Sequence, residues 1–82
     1  METENKLKEI FAEIFNTNKD KINLKTRQNE LKEWDSLGQL RLMMAIEEKF
    51  DISFSIEDIA GLTSFEMILN KTNLKIGKHI DN

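Results

Sequence analysis

The segment Ser36-Leu37-Gly38-Gln39-Leu40-Arg41-Leu42-Met43-Met44-Ala45-Ile46-Glu47-Glu48-Lys49-Phe50 constrains this chain most, because its apolar arc is too wide for an ordinary surface helix. Stepped at about 100° per residue, Leu37, Leu40, Leu42, Met43, Met44, Ile46 and Phe50 sweep well past half of the circumference. The polar remainder is a narrow sector of Gly38, Arg41, Ala45, Glu48 and Lys49. A helix lying on a domain surface needs a narrower stripe. Either this helix is central and nearly surrounded, or some of its apolar residues face solvent. Leu37 and Met44 flank the polar sector and are the candidates for exposure. Apolar side chains exposed beside charges suit a transient partner surface.

The rest of the chain supplies what must surround such a helix. Leu7, Ile10, Phe11, Ile14 and Phe15 recur at helical spacing and predict a first helix that stops near Asn16-Thr17-Asn18. From Lys19 to Trp34 runs a long polar connection. Its isolated apolar residues, Ile22, Leu24, Leu31 and Trp34, are expected to staple it to the helices. Trp34 reads as a packing anchor more readily than as a binding residue. Asp51 to Phe54 reads as an extended link. Ser55-Ile56-Glu57-Asp58 is a capping signal before one turn, Ile56 to Ala60, that stops at Gly61. Thr63-Ser64-Phe65-Glu66 is another, with Glu66 placed to complete a box from Thr63. It opens a last helix expected to run to about Thr72. The reading is all-α: four helices, the third very short, with a long loop between the first two. The predicted core comprises Leu7, Ile10, Phe11, Ile14, Phe15, Leu40, Ile46, Phe50, Phe54, Ile59, Leu62, Phe65, Ile68 and Leu69. Residues 1–74 form the domain, and 75–82 are expected to be a flexible tail.

Composition excludes several functions. With 82 residues there is room for one small domain with a thin core. No cysteine is available for disulfides or cysteine-based zinc sites, and the single histidine, His79, falls near the end of the chain. A net charge of −3 with well-mixed charges lacks the basic stripe of a nucleic-acid binder. No apolar run is long enough for a membrane span, and no signal-peptide pattern opens the chain, so the expected compartment is the cytoplasm. A monomer is expected.

The mouth of the central helix has identifiable chemistry. Ser36-x-x-Gln39 fits a capping box, and Asp35 is an equally good cap one residue earlier. If Asp35 takes the cap, the Ser36 hydroxyl is free to point outward. Gly38 in the first turn costs about 1 kcal/mol relative to alanine and removes bulk beside Ser36. A serine nucleophile needs a general base in reach, and the only histidine is some forty residues away. Glu47 and Glu48 are sequence neighbours and point in different directions on a helix. No glycine-rich phosphate loop is present. Ser36 is therefore passive: a cap, or an acceptor of a group that another enzyme attaches. On the residues alone the cap is the simpler reading.

Asp35-Ser36-Leu37 at the start of the second of four helices resembles the Asp-Ser-Leu motif of acyl carrier proteins. Leu42 through Phe50 with Asp51-Ile52 is similar to that family's second helix and its exit, and the Ser55 and Thr63-Ser64 caps stand where the family begins its third and fourth helices. The resemblance spans about Ile10 to Thr72. It implies that Ser36 bears 4′-phosphopantetheine, attached from coenzyme A by a phosphopantetheinyl transferase that Asp35 helps to engage. It also implies that the arm's thiol carries an acyl or aminoacyl group as a thioester. Leu37, Arg41, Met44, Ala45 and Glu48 inherit the role of a recognition surface for acyl-activating and acyl-transferring enzymes. The sequence departs from fatty-acid-synthesis members in one respect: the charges of Arg41, Glu47, Glu48 and Lys49 cancel, where those members carry a strongly acidic helix. That departure, with Trp34-Asp35-Ser36-Leu37-Gly38, suggests a dedicated free-standing carrier for polyketide, peptide or polysaccharide-modifying chemistry. A peptidyl or D-alanyl carrier and an unmodified helical interaction module are the alternatives.

Overall fold

A computed structural model describes residues 2–81 in backbone, with side chains for residues 2–77. Four helices follow one another: α1 (Glu2–Ile14), α2 (Ser36–Phe50), α3 (Ile56–Gly61) and α4 (Phe65–Asp81), with one 3₁₀ turn, Lys19–Lys21, in the first connection. Among the described residues there is no strand, only an isolated bridge between Arg27 and Ser64. None of these helices is long and apolar enough to cross a membrane.

The apolar stripe of α1 buries Leu7, Ile10 and Phe11, and Phe15 just past the helix end is buried with them. Flanking the stripe, Lys6 meets Glu2 at 3.8 Å and Lys8 meets Glu4 at 3.5 Å. Helical pairs at this spacing contribute only a few tenths of a kcal/mol each. Helix α1 ends where expected. Asn16 turns left-handed at φ 53°, and the Thr17 N–H returns to the Ala12 carbonyl at 2.9 Å. Asparagine tolerates that conformation better than most residues.

The long connection is pinned, as its scattered apolar residues suggested. Ile22 and Trp34 are fully buried and Leu31 packs against the core. Leu24 is the exception: it was expected to staple the loop and is 43% exposed. The Asn23–Thr26 turn bonds to itself through the Thr26 hydroxyl (2.9 Å) and the Asn23 carbonyl (3.0 Å) and needs no apolar anchor there. Two main-chain bonds then tie the loop to the start of α4, Gln28 N–H to the Thr63 carbonyl and Phe65 N–H to the Thr26 carbonyl, both at 2.8 Å. Phe11 stands edge-on to Phe15, Trp34 and Phe65, with ring centroids 5.0 to 5.8 Å apart, and Trp34 stacks on Phe15 at 5.6 Å. Loop, α1 and α4 thus meet in one aromatic cluster, a geometry that adds to plain area burial.

Helix α2 is both of the things its wide apolar arc allowed. Leu42, Met43 and Ile46 are fully buried, while Leu37 and Met44 are 65% and 60% exposed. Leu40, expected in the core, is 43% exposed. It lies three residues from Leu37 and four from Met44, on the same face of the helix as these two exposed residues. The helix ends at Asp51, left-handed at φ 56°, and the Glu47 carboxylate turns back to accept the Phe54 N–H at 2.7 Å. Ser55 and Asp58 form the expected capping box of α3.

Helix α4 differs from expectation at both ends. Its first turn is capped by Ser64, whose hydroxyl accepts the Met67 N–H at 3.2 Å, and not by Thr63, whose carbonyl is taken up by the loop. The helix also continues past Thr72 to Asp81. Thr72 is fully buried within the stripe of Phe65, Ile68 and Leu69, with no partner for its hydroxyl among the described residues, so it extends the apolar face where its polarity suggested a stop. Part of the segment expected as a tail is therefore helical. The side chains of residues 78–82, His79 included, lie outside the described residues.

Asp58 joins α3 to α4. One carboxylate oxygen lies 3.3 Å from the Lys71 ammonium, and the other lies 3.7 Å from Lys75 while also accepting the Ser55 N–H at 3.2 Å. Lys75 additionally sits 5.7 Å from the centre of the Phe54 ring. Partial burial pushes the Asp58 carboxyl up, but the Ser55 hydrogen bonds and the Lys71 charge outweigh it and hold it below the usual value. The folded state therefore binds this proton more weakly than the unfolded chain. The group's contribution to stability is complete above the ordinary carboxylate range and is lost as pH falls through the lowered folded value. Thermal melts between about pH 6 and pH 3 should show a decline in Tm below about pH 4 that Asp58→Asn reduces. Equal slopes for the two proteins would refute this role.

Candidate functional site

The mouth of α2 settles which residue caps it. Asp35 is extended (φ −105°, ψ −164°) and its carboxylate accepts the Gly38 N–H at 2.8 Å, so Asp35 is the N-cap. Its carbonyl accepts the Gln39 N–H at 2.7 Å as the first bond of the helix. Ser36 becomes the first helical residue, exposed, with its hydroxyl released from capping. The Ser36–Gln39 capping box that the sequence also allowed does not form, because the Gln39 side chain turns inward.

Gln39 is 4% exposed and saturated. Its carbonyl oxygen accepts from the buried Trp34 indole at 2.6 Å, and its amide nitrogen donates to the carbonyls of Ile59 (2.9 Å) and Leu62 (2.7 Å). One side chain on α2 thereby serves the end of the long loop and the C-terminal half of α3. A buried indole left without its acceptor costs about 1–3 kcal/mol, so the amide is a structural member of the site. Sequence reasoning missed it because a glutamine in the first turn of a helix ordinarily faces water. The available signal was its place on the buried arc, three residues before Leu42 and four before Met43.

Gly38 has a stronger reason for being glycine than room beside Ser36. A β-carbon there would overlap the Glu33 carbonyl oxygen and come within 3.0 Å of the Phe15 ring. The main chain of the loop lies directly against the first turn of α2, which fixes how Trp34, Asp35 and Ser36 enter the helix.

Around Ser36 the surface is apolar and open. A groove of about 350 Å³ is lined by Gln28, Ser36, Gln39, Ile56, Ile59 and Ala60. Ile56, the first residue of α3, is 82% exposed at its edge. Further along α2 a second depression of about 430 Å³ is lined by Met44, Ala45, Glu47 and Glu48. Of the sequence-predicted site residues, Leu37, Met44, Arg41 and Glu48 are exposed and Ala45 is half-buried, all on the helix that Ser36 opens. Leu40 and Ile56 join this exposed apolar set and were not foreseen. Arg41 takes part in no ion pair among the described residues, whereas Glu47 is engaged with the Phe54 N–H. The described side chains place no histidine or cysteine beside Ser36. The arrangement presents a hydroxyl without a means of activating it.

Such an all-α scaffold, with an unactivated serine displayed at a helix mouth among exposed apolar side chains, has the form of a bearer of an attached group. The comparisons with known proteins agree. The model of the family described as "Phosphopantetheine attachment site" matches residues 5–70. An acyl carrier protein of Buchnera aphidicola subsp. Schizaphis graminum is 38% identical over 73 residues, which cover 88% of this chain and 91% of that protein. The chain belongs to the acyl carrier protein family of phosphopantetheine-binding domains. It is a carrier and not an enzyme, and its cofactor is covalently attached 4′-phosphopantetheine.

The close approach at Gly38 gives a direct test of how the site is held. On helix propensity alone Gly38→Ala should stabilise an exposed helix by about 1 kcal/mol. Here the methyl group collides with main chain, and the substitution should instead lower Tm by several degrees, a loss of about 1–3 kcal/mol. A higher Tm in Gly38→Ala would show that the loop backbone gives way freely.

Proposed function

We propose that Ser36 is the attachment residue, and that this protein carries an acyl or aminoacyl intermediate in a specialised biosynthetic pathway. The observation that carries the reading is the exposed Ser36 hydroxyl, released by the Asp35 cap at the positive end of the α2 dipole. That position favours the negative charge of a phosphodiester. In the loading step the Ser36 oxygen attacks the pyrophosphate phosphorus that bears the pantetheine arm of coenzyme A. A phosphodiester forms, the pyrophosphate bond breaks, adenosine 3′,5′-bisphosphate leaves, and the hydroxyl proton passes to a phosphopantetheinyl transferase. Asp35 then has two duties, capping α2 and helping that transferase engage the site. The thiol at the end of the arm holds the cargo as a thioester, and the work is done in the cytoplasm.

Delivery proceeds by docking through Leu37, Arg41, Met44, Ala45 and Glu48 to acyl-activating and acyl-transferring enzymes. The charges of α2 cancel, so long-range steering by a basic partner patch is weak and short-range apolar contact carries more of the recognition. This supports a dedicated pathway with its own partners over general fatty-acid synthesis.

Intact-mass analysis after incubation with a broad-specificity phosphopantetheinyl transferase and coenzyme A should give a single adduct, absent in Ser36→Ala. No adduct, under conditions that modify a control carrier, would sink the assignment and leave an unmodified interaction module. Arg41→Glu should change which partner enzymes accept the protein while Tm stays within a degree or so, since the side chain is exposed and in no ion pair among the described residues. A large loss of stability would show instead that Arg41 is structural.

A further inference from the structure

The groove beside Ser36 lies between α2 and α3, and the buried side chain in its lining is Gln39. In the core, Trp34, Leu42, Met43 and Ile46 are completely shielded from solvent. The Gln39 amide spans the seam between α2 and α3, reaching the Ile59 and Leu62 carbonyls with its nitrogen and the Trp34 indole with its oxygen. Both amide hydrogens are used. An alkyl chain at the end of the arm that entered the core between these helices would have to part the amide from α3, stranding two carbonyls, and disturb the acceptor of the indole. Hydrocarbon offers none of these groups a replacement bond.

The outer groove has a different character. Gln28 lines it from the loop side, half-buried, with no side-chain hydrogen bond among the described residues, so its amide is free to meet a polar group. Ile56, Ile59 and Ala60 supply a shallow apolar floor. The groove, about 350 Å³ in volume, is open to solvent, so a group resting in it stays partly in water.

Resting on the assignment of Ser36 as the attachment residue, we infer that Gln39 is a specificity-determining residue that bars the cargo from the core. This carrier is built for a short or polar acyl or aminoacyl group that takes no place in the core, not for a long alkyl chain. The prediction concerns the wild-type protein first. The protein is loaded from acetyl-coenzyme A and, separately, from octanoyl-coenzyme A with a broad-specificity transferase, and loading is confirmed by intact mass. Tm and the NMR shifts of the Trp34 indole N–H and the Ile46 methyls are then compared. The two forms should melt within about a degree of each other and share those shifts. Burial of the added methylenes would instead raise Tm by roughly ten degrees or more, and a rise of that kind with displaced Trp34 and Ile46 signals overturns the inference. Gln39→Met, which keeps the side-chain length and removes the amide, should acquire the chain-length dependence that the wild type lacks. A folded Gln39→Met that remains indifferent to chain length assigns the barrier elsewhere and refutes the role of Gln39. Should that variant not fold, the wild-type comparison decides. Failure to load either group appears in the mass spectrum as a missing adduct and removes the Ser36 assignment, and the inference with it.

Discussion

The Gln39 amide is the interaction on which the rest of the structure leans. A chain of 82 residues without disulfides has few ways to hold a six-residue helix such as α3, which is too short to be stable alone. The amide fastens α3 to α2 through two main-chain carbonyls and satisfies the Trp34 indole in the same stroke. Trp34 in turn orders the aromatic cluster with Phe11, Phe15 and Phe65, which brings α1 and α4 to the same place. Asp58 completes the frame from outside by joining α3 to Lys71 and Lys75. The buried Gln39 amide and the ion pairs of Asp58 thus act on the same short helix.

This arrangement lets α2 meet two demands that ordinarily conflict. One side of it must be core, since nothing else in the chain is long and apolar enough to be central. Another, on the proposed docking role, stays wet and apolar, which works against solubility. The conflict is contained by keeping the exposed set, Leu37, Leu40 and Met44, on one strip interrupted by Arg41 and Glu48. The strip begins at Ser36, so the proposed attachment point and the proposed recognition surface share one helix and keep a fixed relation to each other.

Much of this was legible in the sequence where the cause is local. The bounds of α2 and α3 follow from Asp35 and Ser55, side chains that act within three residues of their own position. The burial of Trp34 follows from there being so little else to bury. The exposure of Leu37 and Met44 follows from where they stand beside the polar sector. What the sequence concealed depends on contacts between distant segments. Gln39 looked like half of a capping box until the Ile59 and Leu62 carbonyls were in view. Leu40 looked like core because a helical wheel shows an arc and not which neighbours cover it. The cap of α4 moved from Thr63 to Ser64 because the loop at Thr26 and Gln28 claims the preceding main chain. The length of α4 was hidden by Thr72, a polar residue serving as an apolar one. The attached group was legible only through the likeness of Asp35-Ser36-Leu37 and its surroundings to a known family.

One feature of the cluster reaches beyond packing. Trp34 is the only tryptophan of the chain, and there is no tyrosine. Its fluorescence is therefore a single-site signal, from a fully buried ring two residues from Ser36. Among the described residues the indole's polar contact is with Gln39, which also lines the groove beside Ser36. The native protein thus carries an intrinsic optical gauge at the junction between the site and the core. Emission from that ring reports, without any label, whether events at the helix mouth stay outside or are felt within.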